Sequence, residues 1–254
     1  MNGVGYRVEG RGNRWVTLVT GIANDLAMWD GQMPVLEPRC KVLRYDLRGH
    51  GGTWATPGDY TIDLLVEDLV ALLDAHGIER TSLVGLGLGG AIAQAFAIRH
   101  PGRVDKLMPC CCRAQMVPDF AAMWHKLRDT VRQKGLESIV EQTVQRWFSQ
   151  DFKAAHPDVL DKVRAMIRRT TFEGYMGVSA AFLGLAEEAR LGEIRASTLY
   201  VSGADDKLGG PPALMAGLAA KVPGARHVSV PKAAHIANIQ NPEGFNQALE
   251  EFLR

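Results

Sequence analysis

The stretch that decides the fold is Ser82-Leu83-Val84-Gly85-Leu86-Gly87-Leu88-Gly89-Gly90. Its first residues have the character of a buried strand, its glycines permit a sharp turn, and its end leads into a predicted helix. In a nucleophile elbow, G-x-S-x-G, a serine stands at the centre of such a turn. Here the same spacing reads Gly85-x-Gly87-x-Gly89, so the frame is present and glycine stands where the attacking hydroxyl is expected.

Strands and helices alternate on both sides of this stretch. The apolar patterns predict strands at 6–9, 15–20, 41–45, 81–84, 104–108, 197–201 and 227–230, and helices at 62–76, 89–100, 212–221 and 242–253. Such alternation predicts an α/β fold: a mostly parallel central sheet, built from right-handed crossovers, with helices on both faces.

The alternation stops in the middle of the chain, where only helical periodicity is found. Amphipathic segments follow one another at 120–134, 136–148, 157–169 and 172–185. We therefore predict a core made of residues 1–115 and 192–254, with residues 116–191 inserted as a helical lid. Open α/β sheets bind ligands at the carboxyl ends of their strands, so such a lid is expected to cover an active site.

The composition argues against several classes of protein. Hydrophobic residues make up 46% of the 254 residues and the formal net charge is +1, which gives no electrostatic case for a nucleic-acid partner. No apolar run reaches the roughly 18 residues of a spanning helix, and Met1-Asn2-Gly3-Val4 lacks the layout of a signal peptide, so we expect a cytoplasmic protein without a membrane partner. Cys40 and Cys110-Cys111-Cys112 match neither a disulfide framework nor a zinc site, and no metal is expected.

Two residues downstream of the elbow complete an ordered constellation. Asp206 follows the predicted strand 197–201, and His235 follows the predicted strand 227–230. The order elbow, acid, histidine is that of a catalytic triad, in which the histidine takes a proton from the nucleophile and the acid fixes its tautomer. Both residues belong to loops at the carboxyl ends of strands, where we expect the site.

Stabilisation of an oxyanion needs two backbone N–H groups aimed at the same point. Leu88, directly after the elbow, is predicted to supply one, and its N–H is kept whatever the residue at position 87. Ile22, in the glycine-containing loop 20–25, is predicted to supply the other. His50, within Asp46-Leu47-Arg48-Gly49-His50-Gly51, is interpreted as part of a structural loop and not as a base.

Several further stretches are typical of one superfamily. They are Asp25-Leu26-Ala27-Met28-Trp29, Tyr45-Asp46-Leu47-Arg48-Gly49-His50-Gly51, Gly58-Asp59-Tyr60-Thr61-Ile62, Arg146-Trp147-Phe148, Gly174-Tyr175, Ala180-Ala181, Ala233-Ala234-His235-Ile236-Ala237-Asn238 and Asn241-Pro242-Glu243-Gly244-Phe245-Asn246. From about Gly5 to Leu253 the chain resembles the α/β-hydrolases, and most closely the 3-oxoadipate enol-lactonases. The resemblance implies a cytoplasmic enzyme that opens an enol-lactone in aromatic-compound breakdown, without metal or cofactor.

The resemblance also implies roles for individual residues. His235 would be the base, with Ile22 and Leu88 as oxyanion donors. Asp206 is preferred to Asp205 as the acid, because the family acid lies three residues beyond the glycine. The nucleophile would fall on Gly87. Two stretches depart from the family pattern: Gly49-His50-Gly51-Gly52-Thr53 replaces the usual Gly-His-Gly-Arg-Ser, and Cys110-Cys111-Cys112-Arg113 stands where polar pocket residues are expected.

Four interpretations of Gly87 stay open. It could be an engineered or accidental replacement of serine in an ordinary lactonase or esterase. It could belong to an enzyme without a covalent step, in which His235 activates water or abstracts a substrate proton, as in a hydrolase or a proton-transferring lyase. Cys111 or Cys112 could replace the nucleophile, or the protein could bind a ligand without turnover. We favour hydrolysis of an ester or enol-lactone.

The walls of the expected pocket are less clearly marked. Three residues of the predicted lid, Met116, Trp124 and Trp147, are candidates to contact a small-molecule substrate, although packing within the lid is an alternative for aromatic residues. Cys111 and Arg113 follow the strand 104–108 and are candidates as well. An arginine there would suit a carboxylate-bearing substrate. No cofactor is expected, and no oligomeric state is predicted.

Overall fold

A seven-stranded sheet forms the centre of the computed structural model, which describes residues 3–254. The strands are β1 (Tyr6–Glu9), β2 (Arg14–Val19), β3 (Cys40–Tyr45), β4 (Thr81–Leu86), β5 (Val104–Cys110), β6 (Ser197–Gly203) and β7 (Arg226–Val230), in the order β1-β3-β2-β4-β5-β6-β7. Strand β1 is antiparallel to β3, and all other neighbours are parallel. The predicted fold class is confirmed. Met1 and Asn2, at the start of the stretch screened for a signal peptide, lie outside the described residues.

Helices connect the strands and cover both faces of the sheet. They are α1 (Met33–Leu36), α2 (Ile62–Ala75), α3 (Leu88–Arg99), α4 (Pro118–Lys134), α5 (Glu137–Trp147), α6 (Gln150–Ala155), α7 (Pro157–Arg168), α8 (Phe172–Leu183), α9 (Pro212–Ala219), α10 (Ala237–Gln240) and α11 (Pro242–Leu253), with 3-10 turns at Leu26–Gln32, Pro101–Arg103 and Glu188–Glu193. The sequence did not predict α1, α6 and α10, because four to six residues are too few to show a helical period.

Strands β4, β5 and β6 each run two residues beyond their predicted ends. The added residues include glycine, proline and serine, which indicate turns when only the sequence is considered. In the sheet they are paired: Gly85 with Pro109, Leu86 with Cys110, and Gly203 with Val230. This brings the loops that follow these strands to one edge of the sheet.

Helix α3 is buried along almost its entire length between the sheet and α2. Its residues are small and apolar, which lets it lie against β4 at close range. A Cβ atom at Gly85 would overlap the carbonyl oxygen of Gly89, so Gly85 is required by this packing. The close contact fixes the position of the turn between β4 and α3.

The sheet lies between two apolar layers. Helices α2, α3 and α9 form one layer, which includes Leu69 and Phe96. The turn 26–32 and helices α1 and α11 form the other, in which the Trp29 and Phe245 rings lie 6.2 Å apart. Both layers are continued by residues from the helices between β5 and β6, so these helices pack against the core as well as against each other.

Five helices, α4 to α8, lie in the stretch between β5 and β6 for which the sequence predicts a lid. Their attachment to the core includes ion pairs as well as apolar contacts. Arg169, after α7, donates to Asp25 in the loop after β2 at 2.6 Å, and Arg128 of α4 donates to Asp59 at 2.8 Å. No helix in the part of the chain from residue 3 onward is both long and apolar enough to cross a membrane.

Candidate active site

The turn between β4 and α3 has the backbone of a nucleophile elbow. Gly87 has φ 60° and ψ −121°, a conformation in which side chains are strained and glycine is not. Its N–H donates to the Cys110 carbonyl at 2.9 Å. A Cβ atom built at Gly87 would meet only His235, with Nε2 at 3.7 Å. Space for a side chain is therefore present at position 87, directly in front of the histidine.

His235 and Asp206 form a hydrogen-bonded pair, with Nδ1 and Oδ2 3.1 Å apart. The Asp206 carboxylate is fully buried, and it also accepts hydrogen bonds from the N–H groups of Leu208 (2.7 Å), Gly209 (3.2 Å) and Gly210 (2.9 Å). Burial alone would raise the pKa of Asp206, but His235 and these N–H groups hold it below its ordinary value. With Nδ1–H donating to a carboxylate, Nε2 is left as the basic nitrogen, and it faces Gly87.

The two predicted oxyanion donors lie beside this pair. Ile22 and Leu88 both line the cavity in front of Gly87. Within residues 3–254 neither backbone N–H donates to a protein carbonyl. The Asn24 side chain donates to the Ile22 carbonyl at 3.1 Å, and Ala23 adopts a left-handed φ of 56°, so the loop after β2 is held in an unusual conformation. The arrangement suits stabilisation of a developing negative charge.

A cavity with about 630 Å³ of empty space, its mouth included, opens in front of these groups. Its walls are mostly apolar. The edge of the sheet contributes Gly21, Ile22, Ala23, Asn24, Leu86, Gly87, Leu88, Cys111, Cys112, Leu208, Gly209 and His235. Helices α4, α5 and α8 contribute Phe120, Met123, Trp124, Thr143, Arg146, Trp147, Tyr175 and Phe182. A concave, mostly apolar wall with a few polar groups is typical of a site for a small molecule.

The two predicted tryptophans lie on the cavity wall. Trp124 packs against Tyr175 and Phe182, and its indole N–H is buried without an acceptor among the described residues. It is therefore free to donate to a bound ligand. The Trp147 ring lies 6.4 Å from the His235 ring, and the Trp147 carbonyl accepts from the His235 backbone N–H at 3.1 Å.

Arg113 was predicted to bind substrate, but the structure does not place it on the cavity wall. Its guanidinium stacks on the Phe120 ring at 4.1 Å and donates to the Leu208 carbonyl, so it contacts two residues of the wall without lining the cavity itself. Met116 does not line the cavity either.

Arg146 of α5 is the cation on the wall, and the sequence prediction missed it. It makes no ion pair within the described residues, and its guanidinium reaches only the Gln142 carbonyl and the Met123 sulfur. Burial lowers the pKa of Arg146, but an arginine stays charged at neutral pH. Thr143, three residues before Arg146, and Trp147, one residue after it, lie on the same face of the helix as Arg146. This spacing was the signal in the sequence that Arg146 faces the cavity together with Trp147.

Cys111 and Cys112 line the cavity but are buried, with 0% and 1% of their surface exposed. Burial, with the nearby Asp206 charge, raises the pKa of both thiols well above the ordinary range. Neither is held as a thiolate, the form in which cysteine attacks. This arrangement does not favour a cysteine nucleophile.

His50 lies away from the cavity. It is completely buried, and its Nδ1 is 2.9 Å from the Arg48 carbonyl within the same loop. Burial lowers the pKa of His50 to about 4, so the side chain is neutral at physiological pH. This environment fits the structural interpretation of the loop.

Comparison with known proteins identifies the family. The family model for the α/β hydrolase fold matches residues 14–242, and the chain belongs to this family. It is similar to 3-oxoadipate enol-lactonase 2 of Acinetobacter baylyi (28% identity over 98% of this chain and 92% of the relative) and to a Caulobacter segnis protein that carries the provisional name carbamate hydrolase RutD (30%, over 100% and 97%). The crystal structure of the enol-lactonase from Burkholderia xenovorans LB400 superposes with a TM-score of 0.94 at 32% identity, over 98% of this chain and 96% of that one. The names of these three relatives are all names of hydrolases.

Proposed function

We propose that this protein hydrolyses an ester or enol-lactone by direct attack of water, without an acyl-enzyme intermediate. The observation that carries the proposal is the open space at Gly87. A Cβ atom in this space would lie 3.7 Å from His235 Nε2, so the space is where a serine side chain would stand. The space also adjoins Ile22 and Leu88, whose N–H groups have no carbonyl partner within residues 3–254. A water molecule in this space would lie between a base and a carbonyl bound in the oxyanion site.

The reaction needs only groups that are already aligned. His235 Nε2 takes a proton from water as its oxygen forms a bond to the substrate carbonyl carbon. The carbonyl oxygen, now negatively charged, accepts hydrogen bonds from Ile22 and Leu88, and Asp206 stabilises the imidazolium. When the tetrahedral centre collapses, the C–O bond to the leaving group breaks and the imidazolium returns its proton. An enolate is a good leaving group, so an enol-lactone can be opened by water, a weaker nucleophile than an activated serine.

The environment of Arg146 favours a substrate that carries a negative charge. It is a half-buried cation without a carboxylate partner, on an otherwise apolar wall. Leaving a charge unpaired in such a place is unfavourable unless a ligand compensates it. We infer that the substrate is a small molecule that carries a carboxylate, which Arg146 binds while the Trp124 N–H donates to a second oxygen.

The same residues would also serve a second candidate function, proton transfer. The absent hydroxyl favours it, because a substrate C–H could occupy the space at Gly87 and lose its proton to His235, with the enolate oxygen held by Ile22 and Leu88. Such an enzyme would exchange a substrate proton with solvent deuterium without consuming an ester.

Turnover of a panel of enol-lactones, activated aryl esters and carbamates, with and without a carboxylate, tests the proposal. We expect slow hydrolysis by the unaltered chain and a loss of about 10²-fold or more in His235→Ala, because a positioned general base contributes at least that much. His125→Ala is the matched control, since His125 is exposed on α4. Turnover that survives His235→Ala, or that disappears on thiol alkylation, would contradict the proposed mechanism.

A further inference from the structure

The Gln240 side chain links the helices over the cavity to the loop that carries His235. We propose that Gln240, at the end of α10, is a positioning residue: its amide holds residues 232–236 against Ser149 and so fixes the imidazole of His235. The inference rests on the proposed role of His235 as the base. Gln240 does not line the cavity, and so it acts only through other residues.

One side-chain amide meets four backbone or hydroxyl groups. The carbonyl oxygen of Gln240 accepts from the N–H of Ala234 at 3.1 Å and from the N–H of Ser149 at 3.3 Å. Its NH₂ group donates to the Ser149 hydroxyl at 2.6 Å and to the Lys232 carbonyl at 3.2 Å. Two of these partners belong to the histidine loop, and two belong to the residue that caps α6.

The pattern of donors and acceptors allows only one orientation of this amide. If oxygen and nitrogen were exchanged, the NH₂ group would face two N–H donors. Gln240 is buried, with 8% of its surface exposed, so an unmatched amide there would be costly. The orientation of Gln240 is thus fixed by both elements together, and each element is fixed by it.

The segment that Gln240 holds is strained and directly joined to the base. Lys232 has a left-handed φ of 52°, which its neighbours must maintain. Three residues later the backbone N–H of His235 donates to the Trp147 carbonyl at 3.1 Å. The helix junction at residues 147–149 therefore contacts the histidine loop directly at His235. It is joined to Lys232 and Ala234 only through the Gln240 side chain. Since a displacement of about 1 Å in a catalytic group can lower a rate about 10²-fold, this junction determines how well Nε2 is aimed.

Three variants test the role of the amide. Gln240→Met keeps the shape and removes all four hydrogen bonds. Ser149→Ala removes the hydroxyl partner, together with the hydrogen bond that this hydroxyl accepts from the Phe152 N–H at the start of α6. Gln32→Met is the matched control, because Gln32 is also a buried amide that bridges two elements, through Asn238 and Asn246, without contact to residues 232–236. Amide hydrogen exchange at Ala234 and His235 and the NMR signal of the His235 Nδ1 proton are read first, since neither depends on turnover.

In Gln240→Met we expect exchange at these two amides to rise by about tenfold or more, with a broadened His235 Nδ1 proton signal. We expect kcat to fall about tenfold while KM changes less than about threefold. Ser149→Ala should show smaller changes in the same direction, and Gln32→Met should leave the histidine signal and kcat unchanged. Unaltered exchange and an unaltered histidine signal in Gln240→Met would overturn the inference, as would a kcat loss that Gln32→Met reproduces. If no substrate is turned over, the proposed function fails, while the exchange and NMR results still decide the role of Gln240.

Discussion

Introducing a hydroxyl at position 87 tests whether the elbow is a working catalytic geometry. In Gly87→Ser the new Cβ would lie 3.7 Å from His235 Nε2. The hydroxyl oxygen, which is bonded to this Cβ, would be within hydrogen-bonding reach of that nitrogen. No part of the chain has to move aside for this Cβ, because the His235 ring is its only neighbour within 4 Å among the described residues outside the turn itself. We expect the variant to form an acyl-enzyme, which the unaltered chain cannot form.

The change also has a cost in stability that follows from the backbone. A side chain at φ 60° and ψ −121° is strained by about 1–3 kcal/mol. For a domain of this size each kcal/mol lowers the melting temperature by about 2–4 °C. Gly87→Ala carries the same strain without the hydroxyl, so any difference between the serine and alanine variants is due to the hydroxyl alone.

Three measurements separate the outcomes. Intact mass after treatment with a fluorophosphonate should show one adduct on Gly87→Ser and none on the unaltered chain or on Gly87→Ala. Aryl-ester hydrolysis by Gly87→Ser should show a burst and exceed that of Gly87→Ala by about 10²-fold or more, because His235 would then act on a bound nucleophile. If Gly87→Ser is folded but neither labelled nor faster than Gly87→Ala, our account of the elbow, His235 and Asp206 as an aligned triad frame is refuted.

Two further predictions concern the cavity cation and the buried ionisable groups. Arg146→Met should raise KM about tenfold to 100-fold for carboxylate-bearing substrates and hardly at all for neutral esters. Arg132→Met, which removes an exposed arginine of α4, should leave both KM values unchanged. Equal effects of Arg146→Met on both substrates would contradict the role of Arg146. Burial lowers the pKa of His50 from 6.5 to about 4, so the contribution of His50 to the unfolding free energy is present above pH 6.5 and is lost as the pH falls to 4. Burial raises the pKa of Asp46 from 3.8 to about 6, so the contribution of Asp46 is lost as the pH rises through 6. His50→Asn removes only the first of these trends. The unfolding free energy of this variant in urea, relative to that of the unaltered chain, should therefore fall by about 3 kcal/mol between pH 4 and 7; a difference that stays constant with pH would contradict the assignment.

Much of the core could be predicted from the sequence because its signals are local. A buried strand, a glycine turn and a helix follow one another within residues 82–90, and the order of Asp206 and His235 along the chain placed both at strand ends. Parallel strands bring their carboxyl ends to one edge, so the pairing of these two side chains follows from the topology.

The cavity wall could not be predicted in the same way, because it depends on where side chains point after the helices pack. Arg113 follows a strand at the site edge, yet it stacks on Phe120, a residue of the wall, and does not line the cavity itself. Arg146 lies in a helix whose charged residues all suggest a solvated face, and only packing against the core turns it inward. The contacts of Gln240 join residues 91 positions apart, a separation over which no sequence pattern extends.

The glycines of the elbow look alike in the sequence, but the structure gives them different roles. A side chain at Gly85 would overlap the backbone of α3, so that glycine is needed for the fold. A side chain at Gly87 would meet only the histidine, at ordinary contact distance. The frame around position 87 is held by other groups: Asp206 by three backbone N–H groups, and His235 by Asp206 and the Trp147 carbonyl. Because the frame does not depend on the residue at position 87, the proposed base and oxyanion donors stay aligned without a side chain there, which is the condition that attack by water requires.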